Sequence, residues 1–179
     1  VKDGRRIWNV PCNEASYATP VRWDRPEGTQ IVFATRNRVL GVDAQSGKQL
    51  WSFSYPSKGM TNVPTPVPVS DTGIVISGQG IQGTKRLDVV DENGTLEVQQ
   101  TWTSNAQFFY CNWVLDGERL LGCDGKLVVA IDVRTGKTLG RFRGYNDANV
   151  LLFAKQALIF DGEGHLSTCR ISHEGLKAV

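Results

Sequence analysis

An internal repeat constrains the fold of this chain more than any other feature of its sequence. The segment LGVDAQSGKQLWSF at 40–53 recurs as VAIDVRTGKTLGRF at 129–142. With three weaker copies, the turn glycine of the repeat falls at positions 4, 47, 94, 136 and 175, in steps of 43, 47, 42 and 39 residues. A period near ~40–45 residues that carries four short strands predicts a β-propeller, in which each repeat forms one blade.

Short apolar runs supply the strands that such blades need. Four of these runs are rich in β-branched or bulky apolar residues: 30–34, 73–77, 126–131 and 157–160. Their length and composition are typical of strands that are buried on both faces. Pairs such as Asn93-Gly94 and Asp116-Gly117 lie between strands and favour tight antiparallel hairpins. The sequence therefore predicts an all-β fold with almost no helix.

We interpret the chain as one domain or segment of four-stranded antiparallel blades. The predicted units are a stub of one outer strand at 1–10 and four blades at 13–56, 60–103, 106–143 and 147–179. Twenty Lys and Arg residues balance eighteen Asp and Glu residues along the whole length, which argues against a nucleic-acid partner. We also expect no transmembrane segment, because no apolar run approaches the ~18 residues that a span requires.

A motif inside the repeat carries a family resemblance. The pattern is Asp-Ala-x-Ser/Thr-Gly-Lys-x-Leu-Trp, and its main residues are Asp43, Gly47 and Trp51 in one copy and Asp132 and Gly136 in the other, with Trp8 in a partial copy. This pattern resembles the repeat of the PQQ-like, or quinoprotein-type, β-propellers. That family includes quinoprotein alcohol dehydrogenases and outer-membrane assembly lipoproteins of the BamB type.

The resemblance implies structural roles for the motif residues. The Ser/Thr-Gly pair is expected to form a tight turn capped by the Asp, since Gly supplies the positive φ. The resemblance implies that Trp8 and Trp51 dock one blade onto the next. Propellers of this family have more blades than four, so it also implies that this chain is about half of a seven- or eight-bladed ring, at the upper end of the usual range.

The resemblance supports two functional hypotheses. The first is a non-catalytic interaction scaffold of the BamB type, which binds a protein partner or a second copy of the chain through open blade edges. The second is a fragment of a PQQ-dependent quinoprotein dehydrogenase, whose quinone and calcium sites lie largely in absent blades. We favour the scaffold and expect no catalytic, cofactor or metal residue, because no vicinal cysteine pair and no identifiable catalytic Asp occur. The resemblance implies a periplasmic or secreted location.

Aromatic residues near the predicted blade entrances are the candidate ligand-binding residues. They are Trp23, Phe109, Tyr110, Trp113 and Tyr145. Such side chains bind peptides or sugars when exposed, so a secreted carbohydrate-binding propeller is a third hypothesis. They pack between blades when buried, and burial is the more common outcome for large aromatic residues.

The remaining motifs favour structural interpretations. The four cysteines, Cys12, Cys111, Cys123 and Cys169, lack metal-ligand spacing. A disulfide between Cys111 and Cys123 stays an open alternative to buried thiols. Residues 161–165, DGEGH, are interpreted as a hairpin rather than a calcium loop. The glycines of 78–83 predict a turn, because no helix follows them as a dinucleotide site requires. His165 and His173 lack a nucleophile motif, so we expect them to be ordinary strand or surface residues.

Overall fold

The computed structural model of the chain describes residues 3–12, 14–57, 62–78, 83–172 and 175–178. These ranges contain strands, turns and extended segments, and no helix is assigned within them. None of the described residues therefore belongs to a helix that is long and apolar enough to cross a membrane.

The strands form four antiparallel sheets, each built from four consecutive strands in chain order. Blade 1 contains β1 (Val21–Arg25), β2 (Gly28–Ala34), β3 (Arg38–Asp43) and β4 (Gln49–Ser54). Blade 2 contains β5 (Val67–Pro68), β6 (Gly73–Ile76), β7 (Thr84–Glu92) and β8 (Thr95–Ser104). Blade 3 contains β9 (Val114–Asp116), β10 (Arg119–Cys123), β11 (Val128–Asp132) and β12 (Thr138–Phe142). Blade 4 contains β13 (Asn149–Phe153), β14 (Gln156–Phe160), β15 (Leu166–Ser172) and β16 (Gly175–Ala178).

The four sheets are arranged as the blades of a β-propeller, which confirms the predicted all-β fold. The hairpin between β7 and β8 shows how the sequence encodes the meander. Asn93 and Gly94 have φ values of 57° and 84°, and both positive values are what a type I′ hairpin turn requires. Glu92 pairs directly with Thr95 across this turn.

Three apolar layers hold neighbouring blades together, because most strands carry apolar side chains on both faces. In blade 3, Leu120 packs toward blade 2 while the next residue, Leu121, packs toward blade 4. The alternation follows from the two-residue period of a strand. We call the face of a blade toward the preceding blade its leading face, and the opposite face its trailing face.

The predicted outer strand at 1–10 is wrong for the residues that the structure describes. Residues 3–10 form no strand and lie as an extended segment beside blade 1, where Trp8 and Val10 line a cavity together with Phe33, Leu40 and Val42. A strand needs a partner for its backbone hydrogen bonds. Blade 1 already has four strands, and its leading face offers side chains rather than a free backbone edge.

Candidate functional site

The repeat motif forms a turn between the third and fourth strands of a blade. In blade 1, Asp43 Oδ1 accepts hydrogen bonds from the backbone N–H of Ser46 at 2.7 Å and from its hydroxyl at 2.5 Å. The Ser46 hydroxyl and N–H together hold the pKa of the Asp43 carboxyl below its usual range. Gly47 completes the turn with a φ of 73° and donates its N–H to the Asp43 carbonyl at 2.9 Å.

The second strong copy of the motif has the same geometry in blade 3. Asp132 Oδ1 accepts the N–H groups of Arg134 and Thr135 at 2.9 and 2.8 Å and the Thr135 hydroxyl at 3.0 Å. Burial raises the pKa of the Asp132 carboxyl, but the hydrogen bonds from Thr135 and Arg134 outweigh it and leave the pKa lowered. Gly136 has a φ of 72°. Both carboxylates are thus committed to their own turns.

A tryptophan from outside the blade packs on each of these two turns. Trp102 reaches from blade 2 to blade 3, where its indole N–H donates to the Val133 carbonyl at 2.9 Å. A Cβ on Gly136 would lie 2.6 Å from the Trp102 ring. Trp8 repeats this contact on blade 1, since it donates to the Ala44 carbonyl at 3.0 Å. The extended segment before blade 1 therefore makes the contact that a preceding blade makes elsewhere.

Trp51 packs differently from Trp8 and Trp102. Its indole lies over Gly41 of its own blade, where a Cβ would be 2.2 Å from the indole nitrogen. The indole N–H donates to the Gln30 side-chain oxygen at 2.7 Å, and the residue is 4% exposed. Trp23 meets it edge-on, with ring centroids 6.3 Å apart. The side chain thus belongs to the apolar layer between blades 1 and 2.

The five aromatic residues proposed from the sequence do not form one ligand-binding face. Trp23 and Trp113 are buried, and their indole N–H groups donate to the carbonyls of Ser70 and Thr65 at 2.9 and 2.6 Å. The ligand-face interpretation of these two residues is therefore wrong, because both rings are packed between blades. Phe109 and Tyr145 are half-buried, whereas Tyr110 is 66% exposed.

The cysteines are free thiols in the structure, and three of them are buried. Cys111, Cys123 and Cys169 lie in the layer between blades 3 and 4. A hydrogen bond to Cys123 raises the pKa of the Cys111 thiol, and the same bond lowers that of Cys123. The Tyr145 hydroxyl lies 3.1 Å from the Cys169 sulfur, and this contact, more than burial, raises the pKa of Tyr145 to about 12. Cys111 and Cys123 are thus buried free thiols, and the disulfide that the sequence left open between them is not formed in the structure.

The loop considered for calcium uses its carboxylate internally. Asp161 Oδ1 accepts the N–H groups of Glu163 and His165 at 3.0 and 2.8 Å, and its Oδ2 lies 3.1 Å from His165 Nδ1. Within the described ranges, no group of three or more His, Cys, Asp or Glu residues is placed to hold a metal ion. Two other sequence features, His173 and residues 79–82 of the glycine-rich segment, lie outside the described residues.

The trailing face of blade 4 is the surface that stands out in the structure. Its apolar residues lie on β13, β14 and β15 and are Leu151, Phe153, Leu158, Phe160 and Leu166. Leu151 pairs with Leu158, and Phe160 pairs with Leu166, across neighbouring strands. Four of them are 53–73% exposed, and Leu158 is half-buried. Among the described residues, half of the large hydrophobic side chains that are exposed lie on this one face. Exposed apolar side chains grouped on one face are a candidate interaction surface.

The leading face of blade 1 is also apolar but is largely covered, since Leu40 and Val42 are 3% and 0% exposed and Phe33 is half-buried. Its residues Phe33, Leu40 and Val42 face the segment that contains Trp8 and Val10. A cavity of about 410 Å³ remains between this segment and the sheet. The two ends of the blade series thus present an exposed apolar face and a lined apolar cavity.

Sequence reasoning predicted open blade edges but did not single out the residues of the trailing face. The signal was present in the runs 150–153 and 157–160, which contain apolar residues at consecutive positions. Such runs indicate strands with two buried faces. In the run 150–153 the even-numbered residues pack toward blade 3, and in the run 157–160 the odd-numbered residues do. The other residues of each run therefore form the exposed face.

These features define the class of the protein as a β-propeller with four four-stranded blades. Among solved structures, the chain is similar to BamB from Moraxella catarrhalis, with a TM-score of 0.54 and 14% identity over 98% of this chain and 66% of that one. It is also similar to the computationally designed Ika4 protein, with a TM-score of 0.60 and 11% identity over 94% of this chain and 99% of that one.

A protein of unknown function from Bacteroides caccae is a third match, with a TM-score of 0.52 and 14% identity over 88% of this chain and 59% of that one. The chain therefore spans less than two thirds of BamB and of the Bacteroides protein, but nearly all of Ika4. At identities this low, the structural similarity shows a shared fold and nothing more. No family model and no curated protein matches the sequence.

Proposed function

We propose that this chain is a protein-interaction scaffold and that the trailing face of blade 4 is its binding surface. The observation that supports the proposal is the exposure of Leu151, Phe153, Phe160 and Leu166 on one sheet face. Removing apolar surface from water is favourable by about 25 cal/mol per Å², so covering these side chains with a partner would lower the free energy. The chain thus has a physical reason to bind another protein surface there.

Polar residues on the same face give this surface the form of a protein interface. Gln156 and Arg170 pair across β14 and β15 beside Phe153, and Thr168 lies beside Leu158. An apolar centre with polar and Arg side chains at its rim is typical of protein–protein contacts. The face of a sheet also suits a protein surface better than a small molecule, which prefers a concave site.

The finer features of the proposal come from the sequence motif and the fold together. We assign the chain to the PQQ-like type of repeat, with a BamB-like scaffold role and no catalytic, cofactor or metal residue of its own. The turns at Asp43 and Asp132 support this assignment, because their carboxylates are engaged by backbone N–H groups. A periplasmic or secreted location is part of the same proposal.

Site-specific photo-crosslinking tests the binding surface. A photoreactive phenylalanine analogue is placed at position 153 and, as a matched control, at position 139, because Leu139 is 54% exposed on β12 of blade 3. In the cells that produce the protein, position 153 is expected to give a discrete protein adduct, whose partner is then purified and retested for binding to the Phe153→Glu variant. The proposal is overturned if position 153 gives no adduct beyond the pattern of position 139.

A further inference from the structure

We infer that the surface covering the trailing face of blade 4 is the leading face of blade 1 from a second copy of this chain. Two copies related by a two-fold axis would make this contact twice and close a ring of about eight blades. The inference rests on the proposed function, since it names the partner of the same surface. It follows from the chemistry of the two end faces and from the way interior blades pack.

Interior blades in this chain pack trailing face against leading face. In the layer between blades 3 and 4, Leu121 and Ala130 on the trailing face of blade 3 meet Val150 and Ile159 on the leading face of blade 4. The trailing face of blade 4 carries residues of the same kind, larger and still exposed. The layer between blades 3 and 4 shows a trailing face of this kind packed against the leading face of another blade. A propeller blade is therefore the partner that fits the trailing face of blade 4.

The leading face of blade 1 has one of the contacts that a preceding blade makes in the interior layers. Trp8 binds the Ala44 carbonyl at 3.0 Å as Trp102 of blade 2 binds the Val133 carbonyl of blade 3 at 2.9 Å. In the interior case, however, the rest of a blade accompanies the tryptophan. At blade 1 the accompanying space is the cavity of about 410 Å³ next to Phe33 and Leu40. Apolar side chains from a neighbouring blade would complete this layer.

A ring of two copies would cover the trailing face of blade 4 and the leading face of blade 1 in both copies. Each copy offers one trailing face and one leading face, so a two-fold rotation brings each exposed face of one copy to the complementary face of the other. A head-to-tail contact forms a closed ring when its rotation closes and an open filament when it does not. Because the ring makes two contacts together, it buries twice the area of one blade-to-blade layer, which favours a stable dimer.

A charge-swap experiment with the 179-residue chain tests the inference. The trailing-face variant is Phe153→Glu, and the leading-face variant is Val10→Lys, which lies on the extended segment outside any sheet and so spares the blade fold. Leu139→Glu is the matched control on blade 3. Thermal unfolding is recorded for each variant, and Phe33→Lys replaces Val10→Lys if the latter unfolds more readily than the control. Native mass spectrometry then measures the assemblies.

The wild type and Leu139→Glu are expected at twice the 19.7 kDa mass of one chain. Each charge variant alone is expected to dimerise at least roughly 30-fold more weakly, the ratio for losing a central interface residue. Mixing the two charge variants should restore a mixed dimer. One of its two contacts is fully apolar, and the other joins the acidic side chain of the Phe153→Glu copy with the basic side chain of the leading-face variant.

Three results would overturn the inference. A wild-type monomer at all concentrations would remove the self-association. A dimer broken by Phe153→Glu but unaffected by the leading-face variants would show that two trailing faces pair with each other. A crosslink from position 153 only to a different protein would also overturn it while leaving the scaffold function intact, whereas absence of any crosslink would overturn both.

Discussion

The two ends of the blade series differ in how their apolar faces are covered. At the first end, Trp8 and its neighbours lie over the leading face of blade 1 and leave a cavity beneath them. At the last end, Phe153 and Leu166 on the trailing face of blade 4 are 73% and 65% exposed. Both ends carry the alternation of a strand that is buried on two sides. The comparison indicates that the strands of both end blades have the pattern of strands packed between two blades, although these 179 residues supply a neighbouring blade on one side only.

The largest expected contrast is between an aromatic residue in an interior layer and one on the exposed face. Trp51→Ala should lower the free energy of unfolding by about 3–5 kcal/mol, because it opens a large cavity between blades 1 and 2. Phe153→Ala in dilute protein should change it by less than about 0.5 kcal/mol, as at other exposed positions. Urea denaturation followed by tryptophan fluorescence and circular dichroism measures both. Equal losses would mean that the face of blade 4 is covered within the monomer.

The motif glycines offer a second contrast, between an interior turn and the turn at the first end. Gly136→Ala should destabilise by about 2 kcal/mol, since it combines the strain of a positive φ with a Cβ placed 2.6 Å from the Trp102 ring. Gly47→Ala meets Trp8 at 2.7 Å, but Trp8 is on a segment outside any sheet and can move away. Its cost should therefore be smaller.

Gly94→Ala is the matched control for these two glycine variants. Gly94 has a φ of 84° and open space around the position of a Cβ, so this variant reports backbone strain alone. Thermal and urea unfolding rank the three. We expect the order Gly136, Gly47, Gly94 from the largest loss of stability to the smallest. A Gly47 loss above that of Gly136 would show that the Trp8 segment is held as firmly as a blade.

A third contrast isolates the indole hydrogen bonds. Trp102→Phe keeps most of the ring but removes the donor to the buried Val133 carbonyl, which should cost about 1 kcal/mol. Trp8→Phe removes the equivalent bond to Ala44, where the contact is only partly buried and water can replace the donor. The Trp8 variant should consequently lose less. Urea denaturation measures the two losses, and equal losses would mean that the two hydrogen bonds are equivalent.

The smallest expected effect concerns acid stability. The hydrogen bonds in its turn lower the pKa of Asp132 in the folded protein, so its ionised form stabilises the fold above the unfolded pKa of about 3.9. This contribution is lost as the pH falls below that value through the folded pKa. Asp132→Asn should therefore cost about 0.5–1 kcal/mol at pH 6 and less at pH 3. A cost that is the same at both pH values would contradict the assignment.

The repeat period, the hairpin glycines and the two-sided strands could be predicted from the sequence because they are local. The Asn93-Gly94 turn and the blade count follow from spacing alone. The positions of Trp23 and Trp113 could not be predicted, since each depends on a carbonyl of another blade, Ser70 and Thr65. For the same reason the sequence did not distinguish the covered face of β14 from its exposed face.

The stub at the first end shows the same limit. Its Gly4 and Trp8 match the repeat, so the sequence predicted an outer strand there. Strand formation requires further strands of the same blade beside it, and these residues lie instead on the face of blade 1. The tryptophan contact nevertheless forms, because it needs only the Ala44 turn. Residues 3–10 thus make the tryptophan contact of the repeat without forming the strand of the repeat.

The solution mass of the unmodified chain tests the central claim most directly. Light scattering after size-exclusion chromatography, repeated over a dilution series with Phe153→Glu beside the wild type, measures whether the exposed face of blade 4 is satisfied by another chain. We expect a wild-type dimer of twice 19.7 kDa that dissociates on dilution, and a Phe153→Glu variant that is monomeric. A wild type that stays at 19.7 kDa throughout, with no difference from Phe153→Glu, would contradict it.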